Sequence, residues 1–207
     1  MLRTKVTFAL VLEPEIFNAT QNLALQLFHR FQLVPRTATF TPHISVKQPF
    51  GCADLGAMER YFDQLTATLA PIPLTLDGMA LYEYEQDGMD LGILWLEVDE
   101  NPALRQLHNR LNSEMHQLFG DVAAPFDGDA YRFHLTLVAG QPVDVLRPAL
   151  AAYANTPLKW NFVAREMAMF YITPGWAIVY KTAPLAGKTA APGPNGIAWA
   201  ARLPVEA

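Results

Sequence analysis

The chain has 207 residues, of which 51% are hydrophobic, and a formal net charge of −5. That length allows one domain or two small lobes, and that apolar content is ample for a core. The acidic balance argues against a long duplex groove, which shows as a basic excess, and favours a small ligand or a nucleic-acid end.

Residues 5–12 alternate and are rich in Val, Phe and Leu, which predicts a strand ending at Glu13-Pro14. Residues 15–33 carry Ile16, Leu23, Leu27 and Phe31 at near-helical spacing and predict a helix, followed by a loop over 34–40. A strand over 41–48 is stopped by Pro49 and Gly51, and a second helix spans 54–69. Residues 72–85 and 90–98 read as a hairpin around Gln86-Asp87-Gly88, with Leu91, Ile93, Trp95 and Glu97 on one face of the second strand. The order then repeats. Asn101-Pro102 opens a helix that Gly120 closes, and a loop over 121–130 precedes a strand over 131–139, stopped by Gly140 and Pro142. A helix over 143–154, a long strand over 158–172, a turn at Thr173-Pro174-Gly175 and a last strand over 176–181 complete the pattern. Residues 184–207 shift to Pro and Gly and read as a C-terminal tail, with Ile197 and Trp199 as candidate anchors.

Two stretches occupy matching places in this order: Pro42-His43-Ile44-Ser45-Val46 and Phe133-His134-Leu135-Thr136-Leu137. On a strand, residues i and i+2 share a face. His43 therefore points with Ser45, and His134 with Thr136. Two imidazoles and two hydroxyls suit a metal-free phosphoester site. One imidazole takes a proton, the other gives one, and the hydroxyls hold phosphate oxygens. By the same alternation Lys47 falls on the face of His43, and Arg132 on the face of His134, as candidates to meet the phosphate. Tyr131 and Phe50, at the motif ends, are candidate stacking platforms for a base, as are Tyr82, Tyr84, Tyr171 and Trp176. His108 and His116 lie eight apart on one helix, without metal-site spacing.

With these residues the chain resembles the two-histidine (2H) phosphoesterase superfamily, and within it the branch of 2′-5′ RNA ligase-like and RNA 2′,3′-cyclic phosphodiesterase proteins. The run from Pro42 through Lys47-Gln48-Pro49-Phe50 is similar to that branch's first motif, and Phe133 to Leu137 to its second. Ser45 stands where Thr is commoner, and Phe133 where a proline often precedes the histidine. The resemblance implies metal-independent hydrolysis or transfer at a 2′,3′-cyclic or 2′,5′-linked phosphodiester, with His43, Ser45, His134 and Thr136 as the catalytic set. It implies no cofactor, no metal and no membrane, and a nucleotide or RNA end as partner. A 2′,5′-oligonucleotide joining or cleaving enzyme and a non-catalytic nucleotide-binding module are the rival readings.

The expected fold is α+β, one two-lobed domain over 1–183. It would be built from duplicated β-α-β-α-β units, about 1–89 and 90–183, with antiparallel sheets, helices outside and a central groove. No Walker-type or dinucleotide loop is present, which argues against an ATP-dependent ligase. Cys52 is the single cysteine, so no intrachain disulfide forms, and a reducing cytoplasm is the simpler setting. No apolar run reaches membrane-spanning length, and residues 1–5 lead into a strand rather than a signal-type apolar block. The oligomeric state is left open.

Overall fold

The computed structural model describes residues 4–36, 40–120, 122–173 and 176–187. Within them the elements run β1 (Thr4–Val11), α1 (Pro14–Phe31), β2 (His43–Cys52), α2 (Leu55–Thr68), β3 (Ile72–Gln86), β4 (Met89–Val98), α3 (Pro102–Phe119), β5 (His134–Pro142), α4 (Val143–Tyr153), β6 (Lys159–Ala164), β7 (Glu166–Thr173) and β8 (Trp176–Pro184). The local chemistry matches the boundaries. The Asn101 side chain accepts the Leu104 N–H with Pro102 in the first turn of α3, and Asp54 caps α2 through the Ala57 N–H. Asp87 and Gly88 both adopt positive φ, which the tight β3–β4 turn requires.

The strands form two antiparallel four-stranded sheets, ordered β2-β1-β7-β8 and β5-β4-β3-β6. These are the two lobes, and the orders match position by position: a histidine strand at the edge, then the strand that opens its half. Each sheet draws strands from both halves of the sequence, because β3 joins the second sheet and β7 and β8 join the first. The halves about 1–89 and 90–183 are therefore interleaved rather than side by side. One continuous core of buried residues runs from Val6 and Phe8 through Leu94 and Leu135 to Met169. Against it lie α2 on β7 and β8, α4 on β3 to β5, α3 on β2, and α1 on β5 and α4.

Several boundaries differ from the sequence expectation. Both histidine strands run on through their prolines, β2 past Pro49 to Cys52 and β5 to Pro142. Each is an edge strand, where a missing N–H on the open side breaks no ladder bond. The long strand over 158–172 is two strands. The exposed pair Arg165-Glu166 interrupts the alternation, and there the chain leaves β6 in one sheet for β7 in the other. The tail begins by docking: Leu185 is buried, and the N–H groups of Ala186 and Gly187 donate to the Thr66 and Leu69 carbonyls. A Cβ at Gly187 would fall 2.4 Å from the Thr68 carbonyl oxygen, so only glycine fits this approach. Ile197, Trp199, Pro174 and Gly175 lie outside the described residues. No helix among those described is long and apolar enough to cross a membrane.

Candidate active site

The two edge strands β2 and β5 lie against one another, and they carry the histidines. Side by side, they repeat each other closely. In both, burial alternates over four residues and then fails: Val46 and Lys47 are both buried in β2, and Leu137 and Val138 in β5. The cause is a bulge. Pairing passes from Phe8↔Lys47 to Ala9↔Ser45 in one sheet, and from Leu94↔Val138 to Trp95↔Thr136 in the other, leaving Val46 and Leu137 as extra residues. Each bulge stands three residues beyond its histidine. It lets the histidine and hydroxyl face outward while the two residues after them both turn into the core.

The imidazoles are held alike. His43 Nδ1 lies 2.7 Å from the Thr41 carbonyl oxygen, and His134 Nδ1 lies 2.9 Å from that of Arg132. A carbonyl only accepts, so Nδ1 carries a proton in both rings, and Nε2 is left as the basic nitrogen. Each ring also rests on an aromatic. His134 stacks on Trp95 with centroids 4.3 Å apart, and His43 lies 4.6 Å from Phe170, tilted by 38°. Phe170 belongs to β7, two strands away, and reaches His43 across Ala9 and Ala168, whose small side chains leave the space. Burial pushes both imidazole pKa values below the ordinary 6.5. The His134 imidazole and Arg36 push His43 down further, and Arg132 does the same to His134. The two rings thus stand on strands that lie against one another, near enough for the charge of His134 to act on His43. Ser45 and Thr136 share their faces, half-buried.

The other predicted residues divide. Arg132 is exposed beside the site, paired with Glu97, its guanidinium carbon 5.4 Å from the Trp95 ring centre. Lys47 is not on the face of His43. The bulge turns it into the core, where it is fully buried, paired with the Asp127 carboxylate and donating to the Val122 carbonyl at 3.1 Å. Phe50 is a core residue at 4% exposure. Tyr131 is buried too, and its hydroxyl donates to the Ser45 carbonyl at 2.9 Å. Its ring stacks on His108, whose Nδ1–H donates to the Val46 carbonyl while Nε2 accepts the Gly128 N–H. Tyr131 and His108 thus hold successive carbonyls of β2, and through them the site's backbone. Tyr171 packs against Tyr180, near Glu59 of α2. The Trp176 side chain lies outside the described residues. Burial pushes the Cys52 thiol up, away from a nucleophile's range.

Sequence reasoning gave no role to Trp95, Phe170 or Arg36. Trp95 was legible as a face residue by alternation. Its indole Nε1–H is buried with no hydrogen-bond partner among the described residues, and Tyr82 stacks on it at 5.6 Å. Arg36, over the Phe40 ring at 3.6 Å, follows Pro35 in a loop with no periodic signal. Among the described residues no group of three His, Cys, Asp or Glu is arranged as a metal site requires. A depression of about 770 Å³ between Leu74, Asn101, Gln106 and Phe162 is lined by none of the histidine-site residues.

The two-lobed fold of paired antiparallel sheets, with one histidine strand at the facing edge of each, places the chain in the class of two-histidine phosphoesterase folds. The chain belongs to the 2′-5′ RNA ligase superfamily, whose family model matches residues 12–173. Among solved structures it is similar to TT0787 of Thermus thermophilus, at 16% identity and a TM-score of 0.62, covering 89% of this chain and 99% of that one. It is also similar to E. coli LigT complexed with 3′-AMP, at 17% identity and a TM-score of 0.51, covering 88% and 98%. No curated protein sequence matches it.

Proposed function

We propose that the protein is a metal-independent phosphodiesterase acting on 2′,3′-cyclic or 2′,5′-linked phosphates of nucleotides or RNA ends. The observation that carries this reading is the pair of imidazoles, each locked at Nδ1 by a backbone carbonyl and close enough for one to depress the other's pKa. Binding an anion does not require two titrating rings so held, which favours an enzyme over a binding module. E. coli LigT holds 3′-AMP, which supports a nucleotide as ligand.

In the reaction, one neutral Nε2 takes a proton from water as the oxygen bonds to phosphorus. The bond from phosphorus to a ribose oxygen breaks, and the other imidazolium protonates that oxygen. Ser45 and Thr136 hydroxyls are donors for the non-bridging oxygens. Both rings are neutral near pH 7 in the empty site, and the phosphate's negative charge favours protonation of one. Each ring has one arginine that disfavours its charge, Arg36 for His43 and Arg132 for His134. The orientation of the substrate between the rings decides which one takes the proton and acts as general acid, the other being the base. Arg132 and Arg36 supply counter-charge.

The test is incubation with 2′,3′-cyclic mononucleotides in EDTA, followed by phosphorus NMR. A single 2′- or 3′-monophosphate product, lost in His134→Ala, is expected. A folded protein that forms no product from these or from a 2′,5′-dinucleotide would overturn the reading.

A further inference from the structure

Phe126 has no place in the site as described, yet the fold holds it firmly. It is 66% exposed, and its φ of 71° is one that bulky side chains avoid. Its neighbour Asp127 is clamped: the carboxylate takes the Lys47 ammonium and the Ala124 N–H. The next residue, Gly128, donates its N–H to His108, and its carbonyl accepts from Arg105. A buried ion pair gives little net stability over packed apolar residues and is best attested as a device for fixing register. The equivalent bulge in β5 indeed buries Val138 where β2 buries Lys47. The exposed ring thus sits on a positive-φ backbone whose next two residues are held by buried and part-buried contacts.

Phe126 also ends a row of rings. His134 stacks on Trp95 at 4.3 Å, Trp95 on Tyr82 at 5.6 Å, and Tyr82 meets Phe126 edge-on at 6.2 Å. Bases in a strand repeat about every 3.4 Å when stacked. A ring three contacts from the catalytic imidazole is beyond the nucleotide being cut and within reach of its neighbour.

We propose that Phe126, pinned by the buried Lys47–Asp127 pair, is a stacking surface for the base of the nucleotide next to the scissile one. The preferred substrate is then an oligonucleotide end rather than a mononucleotide. This rests on the phosphodiesterase reading and narrows its substrate class.

The experiment compares kcat/KM for a dinucleotide bearing a terminal 2′,3′-cyclic phosphate with that for the cyclic mononucleotide. Loss of one base–aromatic stack is worth about 5- to 150-fold. Phe126→Ala is expected to lower the dinucleotide preference by that factor through KM, and Phe126→Trp to keep it. Equal effects of Phe126→Ala on both substrates, or none on either, would overturn the proposal. The exchange of both pair members, Lys47→Met with Asp127→Leu, leaves no lone buried charge and is expected to lower the same preference. An unchanged preference there would overturn the pinning. If the protein cleaves neither substrate, the phosphodiesterase reading has failed. Binding of a dinucleoside monophosphate against a mononucleotide then decides: weakening of the former alone by Phe126→Ala supports the stacking surface, and unchanged binding rejects it.

Discussion

The first and second histidine strands share what chemistry needs and differ in what holds and surrounds it. Both place the ring on the outward face, lock Nδ1 with the carbonyl two residues back, and bulge three residues on. Behind the bulge, β5 buries Val138 and β2 buries a lysine that reaches another loop. In front of it, His43 rests on the single ring of Phe170 across Ala9 and Ala168, whereas His134 stands at the end of a row of rings. Proton transfer can be nearly symmetric across a phosphate. Recognition cannot, because a nucleotide has a base on one side only. The divergence between the strands lies where binding, not chemistry, is decided.

The largest expected effects test the shared half. His43→Ala and His134→Ala should each lower kcat by about 10²–10⁴-fold, the usual worth of a general acid or base. The double variant should cost little more than either single one, since each ring works only with its partner. A turnover assay of the three variants checks this. A single variant near wild-type rate would break the equivalence of the strands.

Next comes the buried difference. Lys47→Met strands the Asp127 carboxylate, and such losses destabilise by about 3–5 kcal/mol. Adding Asp127→Leu should recover most of that, because the position then resembles Val138. Urea unfolding of the single and double variants measures the recovery. No recovery would mean that the ammonium has a role beyond its partner.

This lysine also marks where the sequence stopped being legible. The histidines, hydroxyls, element order and sheet class followed from period-two patterning and the duplication. Lys47 was placed on the wrong face because an alternation rule has no way to see a bulge, and one extra residue reverses everything beyond it. The same limit hid the division of 158–172, where two adjacent charges, Arg165 and Glu166, were the available sign. Phe50 and Tyr131 lie beside the motifs in sequence but behind them in space. Phe170 and Arg36 come to His43 only through tertiary pairing, which no local pattern encodes.

A smaller effect concerns stability against pH. Burial lowers the pKa of His43, His134 and His108 below 6.5. Below that value the unfolded chain binds protons that the folded chain refuses, so stability falls as pH falls. Urea midpoints should therefore decline between pH 7.5 and 5, above the range where carboxylates titrate. The decline should shrink in His43→Gln and in His134→Gln, and part should persist through His108. A flat profile would mean that the folded chain protonates these rings as readily as the unfolded one.

The smallest change is the most discriminating. Arg36 depresses the pKa of His43, and Arg132 that of His134. Removing either charge, as Arg36→Gln or Arg132→Gln, raises the pKa of its own histidine. If His43 is the base it must lose its proton to act, so Arg36→Gln moves the acid limb of the kcat/KM profile to higher pH. If His134 is the acid it must keep its proton, so Arg132→Gln moves the alkaline limb to higher pH. The limbs belong to the coupled pair rather than to either ring alone, so which variant moves which limb carries the information. Swapped limbs would reverse the acid and base and turn the substrate around in the groove. The base would then sit on the Phe170 side, and the row from Trp95 to Phe126 would lose its connection to the leaving ribose.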